Sequence, residues 1–244
     1  MNVGLFGGAF DPIHRGHISI AQAAAKKFGL KQVHFATTGV PPHRAAAASF
    51  AARYAMVTLA TQQDRRFIPS LIDSPEESAG KPSYSLYMLR RFKARMKKSD
   101  RLFFILGLDQ FESIATWHKP LEVLRECEFI IAARPGHAMS EVARALPKEM
   151  RPSEAVLRAA RQQPLSGELM LPGVQLHLLE DTDFDVSSTK VRSRISGGRS
   201  AKRWLTPEVA EFIGRTGIYS GDAAPATAAR GNVLQSKTLR RRRP

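Results

Sequence analysis

The stretch from Asn2 to Thr37 constrains this chain more than any other. Asn2–Phe6 (NVGLF) is a short apolar run ending on Gly7-Gly8, the pattern of a buried strand delivered into a tight glycine turn. After Gly16, the residues Ile18, Ala21, Ala25 and Phe28 recur at three- and four-residue spacing and define one face of a helix that stops at Gly29. Gln32–Thr37 (QVHFAT) reads as the next strand. A strand, glycine turn, helix and strand this close together call for parallel strands joined by a crossover helix.

The alternation continues downstream. Ser49 is placed to cap a helix running through Gln62, Arg66–Ile72 is a weak strand, and Tyr84–Lys97 is helical and basic on one side. Arg101–Leu106 (RLFFIL) is a core strand, Pro120–Glu126 a short helix, Phe129–Ala133 a further strand and Val174–Leu179 the last. Two capped helices follow, one from Ser187-Ser188 and one from Thr206-Pro207-Glu208, where Thr is the N-cap and Pro the first helical residue. The expected fold is α/β: a doubly wound, Rossmann-like, mainly parallel sheet with helices on both faces and ligands at the C-terminal strand ends. Residues 137–165, polar and broken by Pro147, Pro152 and Pro164, read as a surface helical insertion within a single domain spanning 1–220. Residues 221–244 carry almost no large apolar side chains and are expected to be a disordered basic tail.

Charge narrows the partners. Thirty-seven Lys+Arg against 22 Asp+Glu give +15 over 244 residues, a field that favours nucleotides, nucleic acid or anionic membrane. Arg230, Lys237 and Arg240–Arg243 in the tail oppose only Asp222, yet the rest of the chain remains basic without them. Cys127 is the only cysteine, which rules out an intrachain disulfide. The start lacks a basic segment of the signal-peptide kind, and no run of ~18 apolar residues could span a bilayer. The expectation is a cytoplasmic protein with no membrane partner. A polar, hydrophobic-patterned chain of this length needs no disulfide staples to bury a core.

Chemistry concentrates in Gly7-Gly8-Ala9-Phe10-Asp11-Pro12-Ile13-His14-Arg15-Gly16-His17. Glycines after the first strand let the backbone approach a phosphate, and the next helix offers free N–H groups and a positive dipole end. His14 and His17, three apart at that helix start, can face one way and donate to phosphate oxygens. Val186-Ser187-Ser188-Thr189-Lys190-Val191-Arg192 holds a second such element. There Ser187 or Ser188 caps a helix whose first amides form an anion site, and Arg192 adds a fork donor one turn inward. Alone, this second segment is no more than an ordinary capped helix; paired with the first, it offers a polyanion a second helix end.

Gly7–His17 resembles the GGxFDPxHxGH signature of the nucleotidyltransferase superfamily, whose members transfer a nucleoside monophosphate from a triphosphate. Eight positions coincide, about one chance in 10¹⁰ per start site for residues at one in ~20 each. Val186–Arg192 is similar to the superfamily's ISSTxIR motif with Val for Ile. The order of later features resembles the bacterial nicotinate-nucleotide adenylyltransferases from Met1 to about Ser220. The resemblance implies ATP contacts at Gly7, Gly8, Ala9, Phe10, His14, His17, Ser187, Ser188, Thr189 and Arg192, with His14, His17 and Arg192 as the catalytic set.

The branch also implies an acceptor side. Pro41-Pro42-His43-Arg44 resembles a PPHK/R loop, which implies that Arg44 contacts phosphate. Pro82-Ser83-Tyr84-Ser85 resembles SYT with Ser for Thr, and implies that Ser83, Tyr84 and Ser85 lie against nicotinate mononucleotide. Gly107-Leu108-Asp109 resembles GxD, implying that Asp109 faces the nucleotides; read alone, Asp109 is equally a helix N-cap. Trp117 resembles the tryptophan that stacks on the nicotinate ring, although a core Trp is the commoner fate. Arg134-Pro135-Gly136 resembles RPG and makes Arg134 a lesser substrate candidate. Ala9 departs from the frequent Thr or Ser and removes a hydroxyl while leaving backbone donors.

The implied reaction joins ATP and nicotinate mononucleotide into deamido-NAD and pyrophosphate, with Mg²⁺ accompanying ATP and no protein metal site. Two rivals stand beside it. A sibling enzyme would use another acceptor, such as pantetheine phosphate or glycerol phosphate. A nucleic-acid-binding module would explain the charge, but no RNA or DNA motif is present, leaving at most weak binding through the tail. The oligomeric state is not legible in the sequence.

Overall fold

The computed structural model describes residues 1–42, 45–133, 139–161, 167–180 and 186–221. Seven strands form one sheet: β1 (Asn2–Gly8), β2 (Gln32–Thr37), β3 (Phe67–Ser70), β4 (Arg101–Gly107), β5 (Glu128–Ala133), β6 (Glu168–Leu171) and β7 (Val174–Glu180). Their order is β3-β2-β1-β4-β5-β7-β6, and all neighbours are parallel except β6 and β7. The helices are α1 (Arg15–Lys27), α2 (Phe50–Thr61), α3 (Ser85–Ala94), α4 (Leu108–Phe111), α5 (Pro120–Glu126), α6 (Met139–Ala145), α7 (Glu154–Arg161), α8 (Ser188–Ser196) and α9 (Pro207–Thr216). The doubly wound, Rossmann-like expectation is met. The strand order reverses between β1 and β4, the crevice where open α/β sheets bind ligands.

Residues alternate along each central strand, so the sheet feeds two cores. Leu5 of β1, Leu102, Phe104 and Leu106 of β4, and Phe129 and Ile131 of β5 pack with Leu86, Leu89, Phe111 and Val142 from the helices of one face. Phe6, Phe103, Ile105 and Ile130 point the other way and pack with Ala21, Met56, Val191, Val209 and Ile213. The predicted caps are in place: Ser49 Oγ accepts from the Ala52 amide, Ser187 Oγ from Lys190 and Thr206 Oγ1 from Val209.

Two differences from the sequence reading have physical causes. β6 was not anticipated; it is a four-residue edge strand joined to β7 through Pro172-Gly173. Gly173 has φ +76, the conformation that a Pro-Gly turn requires at its second corner, so the turn signal was present in the sequence. The segment expected as a surface insertion is helical over α6 and α7 but is not superficial. Met139, Val142, Ala143, Leu146 and Leu157 are buried in the first core, because that side of the sheet would otherwise be uncovered beyond α5. The expected disorder of the tail falls on residues 222–244, outside the described residues.

Candidate active site

The β1 strand ends on Gly7-Gly8 at the switch point. A Cβ on Gly7 would lie 2.9 Å from the Phe104 ring on β4, so only glycine brings the turn this close to its neighbour. Phe10 then takes a left-handed turn, φ +47, which costs a non-glycine residue on the order of 1–3 kcal/mol. Its ring is buried edge-on against Phe6 at 5.6 Å and His17 at 5.1 Å, which offsets that cost. The Phe10 side chain is therefore a plug beneath the turn; only its backbone is available to a nucleotide.

His14 is the N-cap of α1 and His17 the third residue of that helix. Their rings stack at 3.7 Å and 23°. The His14 amide donates to His17 Nδ1 at 3.1 Å, which leaves the proton of a neutral His17 ring on Nε2, free to donate outward. His14 Nδ1 is buried without a partner. Burial pushes His14 down to about 4, against the pull of a backbone hydrogen bond. Burial, reinforced by the neighbouring His14, takes His17 well below its ordinary value. At neutral pH the pair is thus two uncharged donors, and an approaching polyanion would favour their protonation.

The second helix end is locked to the first. Ser188 Oγ donates to the Pro12 carbonyl at 2.9 Å, and Arg192 Nη1 donates to the Asp11 carbonyl at 2.6 Å. Arg192 Nη2 also reaches Thr189 Oγ1 at 3.3 Å, and Ser187 caps α8. The sequence-predicted triphosphate residues of both motifs therefore meet around the Asp11–His14 turn.

Sequence reasoning missed what braces that turn. Asp11 accepts from the Ala47 and Ala48 amides at 2.6 and 3.1 Å and from the Tyr219 hydroxyl at 2.6 Å. Arg53, 1% exposed, donates to the carbonyls of Ala9 (2.7 Å), Thr38 (2.8 Å) and Ala48 (3.1 Å). Burial lowers the Arg53 guanidinium from its ordinary value while Asp11 opposes the shift. The Tyr219 phenol is pushed up by burial and by its bond to Asp11. An arginine at a core position of an otherwise apolar helix face was the available signal for Arg53; nothing local marked Tyr219.

On the far side of the glycine turn lies a cavity of about 330 Å³ lined by Gly7, Gly8, Thr38, Pro41, Tyr84 and Trp117, among others. Ala9, Ser83 and Ser85 also line it, as do Asp73 and His118. Trp117 is half-buried, anchored through Nε1 to Ser113 Oγ at 3.1 Å and edge-on to Phe104 at 6.5 Å. No side chain caps α3, which begins at the cavity after Tyr84. The Ser85 and Leu86 amides, in its first turn, have no hydrogen-bond partner among the described residues. Ser83 uses its amide and hydroxyl on Val40, so its side chain is engaged in holding the wall. Asp109 is exposed in the first turn of α4 and does not line this cavity. Arg44 and Arg134 lie outside the described residues. No cluster of three or more His, Cys, Asp or Glu side chains that could hold a metal occurs among the described residues, and no described helix is long and apolar enough to cross a membrane.

A switch point with two helix N-termini on one side and an aromatic cavity on the other suits a nucleotidyl transfer. The chain belongs to the cytidylyltransferase-like family, which it matches over residues 5–194. Within that family it is similar to the "probable nicotinate-nucleotide adenylyltransferase" of Pelobacter propionicus, 33% identical over 222 residues, 90% of this chain and 99% of the relative. The protein of that name from Pseudomonas aeruginosa is 35% identical over 219 residues, 89% of this chain and 96% of the relative. The nicotinic acid mononucleotide adenylyltransferase of Plasmodium falciparum, complexed with NaAD, shares the fold with a TM-score of 0.65 at 15% identity, over 89% of this chain and 97% of that one. The family resemblance read from Gly7–His17 is borne out.

Proposed function

We propose that the protein is a cytoplasmic adenylyltransferase that transfers AMP from ATP to nicotinate mononucleotide, releasing pyrophosphate and forming deamido-NAD in NAD biosynthesis. The observation that carries this reading is the position of the Gly7-Gly8 turn between the His14–His17–Arg192 cluster and the Trp117 cavity. An acceptor phosphate lying across that turn attacks the ATP α-phosphorus in line. One P–O bond forms to the acceptor, and the bond between the α-phosphorus and the bridging oxygen breaks, with the electron pair leaving on pyrophosphate. A phosphate monoester is already a nucleophile at neutral pH, so no general base is needed, and rate comes from positioning and charge stabilisation. His17, through Nε2–H, and the His14 ring stacked on it donate to phosphate oxygens; Arg192 and the α8 amides hold the departing phosphates. Magnesium entering with ATP would supply charge neutralisation on the phosphates; Asp11 would not hold it, because both its oxygens accept from Ala47, Ala48 and Tyr219.

The acceptor assignment rests on the uncapped start of α3. Free amides there favour a carboxylate, whereas an amide's NH₂ would face donors, at a cost of about 1–3 kcal/mol or roughly 5- to 150-fold in preference. Trp117 stacks equally on either ring. Pyrophosphate release with ATP is measured for nicotinate mononucleotide, its amide, pantetheine phosphate and glycerol phosphate. The acid is expected to have the highest kcat/KM. Equal use of acid and amide refutes the acceptor assignment, and turnover only with another phosphate ester replaces it.

A further inference from the structure

Asp73 sits in the turn after β3, 3% exposed, at the floor of the acceptor cavity. It has no part in the chemistry described above. Its carboxylate accepts from Arg91 Nη2 at 2.8 Å, while Arg91 Nε holds the Ile72 carbonyl at 3.0 Å. The Gly39 amide and the Ser83 hydroxyl lie near it and favour its charged form. That hydroxyl in turn accepts from the Val40 amide at 3.0 Å, and the Ser83 amide donates to the Val40 carbonyl at 2.9 Å. A Cβ on Gly39 would overlap the Asp73 carbonyl oxygen, so only glycine lets the loop lie this close. The Gly39 loop, the turn after β3 and α3 therefore meet at Asp73.

We propose that Asp73 is a positioning residue for the acceptor nucleotide, pinning the Gly39–Pro42 loop to the start of α3 so that the two form one cavity wall. A buried carboxylate is costly unless paired; here the Arg91 guanidinium donates to it, and the neighbouring Gly39 amide and Ser83 hydroxyl favour its charge. Asparagine replaces it poorly, because it lacks the charge that pairs with Arg91. The triphosphate grip is braced separately, by Arg53 and Asp11, so loss of Asp73 should be felt on the acceptor alone. Among the described residues, the charged group facing Asp73 is Arg91 of α3; the loop donors are neutral. Burial pushes the Asp73 carboxyl up to about 6 against these partners, so the wall loosens as pH falls through that value.

This inference rests on the acceptor reading above, and its test separates the two. Asp73→Asn is assayed with varied acceptor and varied ATP. The acceptor KM should rise about tenfold, the loss of one charge-assisted bond, with ATP KM and kcat within about twofold of wild type. The acid limb of kcat/KM near pH 6 should also disappear, apart from the substrate phosphate's own titration, which both enzymes share. An unchanged acceptor KM, an equal rise in ATP KM, or an identical pH profile overturns the proposal. If Asp73→Asn does not fold, Gly39→Ala, which forces the same loop off Asp73, should give the same split, and an unchanged acceptor KM there also overturns it. Should wild type prefer another phosphate ester, the function reading fails and the same split is read with that acceptor.

Discussion

Replacing Arg53 with Met keeps most of the apolar stem and removes the charge and all three of its hydrogen bonds. Ala48 is a buried residue, so its carbonyl loses its charged partner with no water to replace it, at about 1–3 kcal/mol. Ala9 is exposed and Thr38 half-buried beside the cavity, so water can take over there and each loss is nearer ~0.5–1 kcal/mol. The expected destabilisation is thus about 2–5 kcal/mol, a large part of the ~5–15 kcal/mol that holds a typical domain. Urea unfolding followed by circular dichroism measures it, with Arg65→Met, an exposed neighbour, as a control expected within ~0.5 kcal/mol of wild type. Arg53→Lys should fall between, because one ammonium cannot span carbonyls on three segments. ATP KM should rise in Arg53→Met as the Ala9 carbonyl is released. A loss under about 1 kcal/mol would refute the view that Arg53 braces the glycine turn.

Other consequences are open to direct measurement. His14→Ala and His17→Ala should each remain folded and lose on the order of 10²–10³ in kcat, the effect of removing one transition-state donor; a folded double variant with near wild-type turnover would exclude the phosphate role. Because the folded-state value of His14 lies below its ordinary 6.5, at about 4, its stabilisation is complete above pH 6.5 and is lost as pH falls towards 4. That contribution is about 3 kcal/mol by linkage. Asp73 acts in the opposite sense over pH 6 to 3.8, so the His14 share is read as the difference between wild type and His14→Asn in denaturation from pH 7.5 to 4.5, and identical curves would contradict it. Deleting residues 222–244 should leave the melting temperature and kcat/KM unchanged, since that segment has almost no large apolar residues. Any salt-sensitive RNA binding should weaken with it, and a truncated protein that unfolds or loses turnover would contradict this.

The sequence by itself determined most of the elements, β6 excepted, and the family, because both rest on local chemistry. Period-two and period-3.6 apolar patterns, Ser49, Ser187 and Thr206 as caps, and the strand running into Gly7-Gly8 all act over a few residues, where backbone geometry and nearest neighbours decide. From them the parallel sheet and two helix ends with free first-turn amides were legible, while an acceptor role for Ser83–Ser85 came only from the family resemblance. The tertiary structure decided what depends on residues distant in the chain. Asp11 meets Tyr219 across 208 positions, and Arg53 is charged inside a core because three carbonyls converge on it. Asp73 becomes the anchor of a cavity wall only when Gly39 and Ser83 are folded against it. The histidines are the sharpest case: their spacing marked them as phosphate donors, but that they stand neutral at pH 7 follows from burial and from each other, and desolvation is a property of the packed interior that no run of residues carries alone.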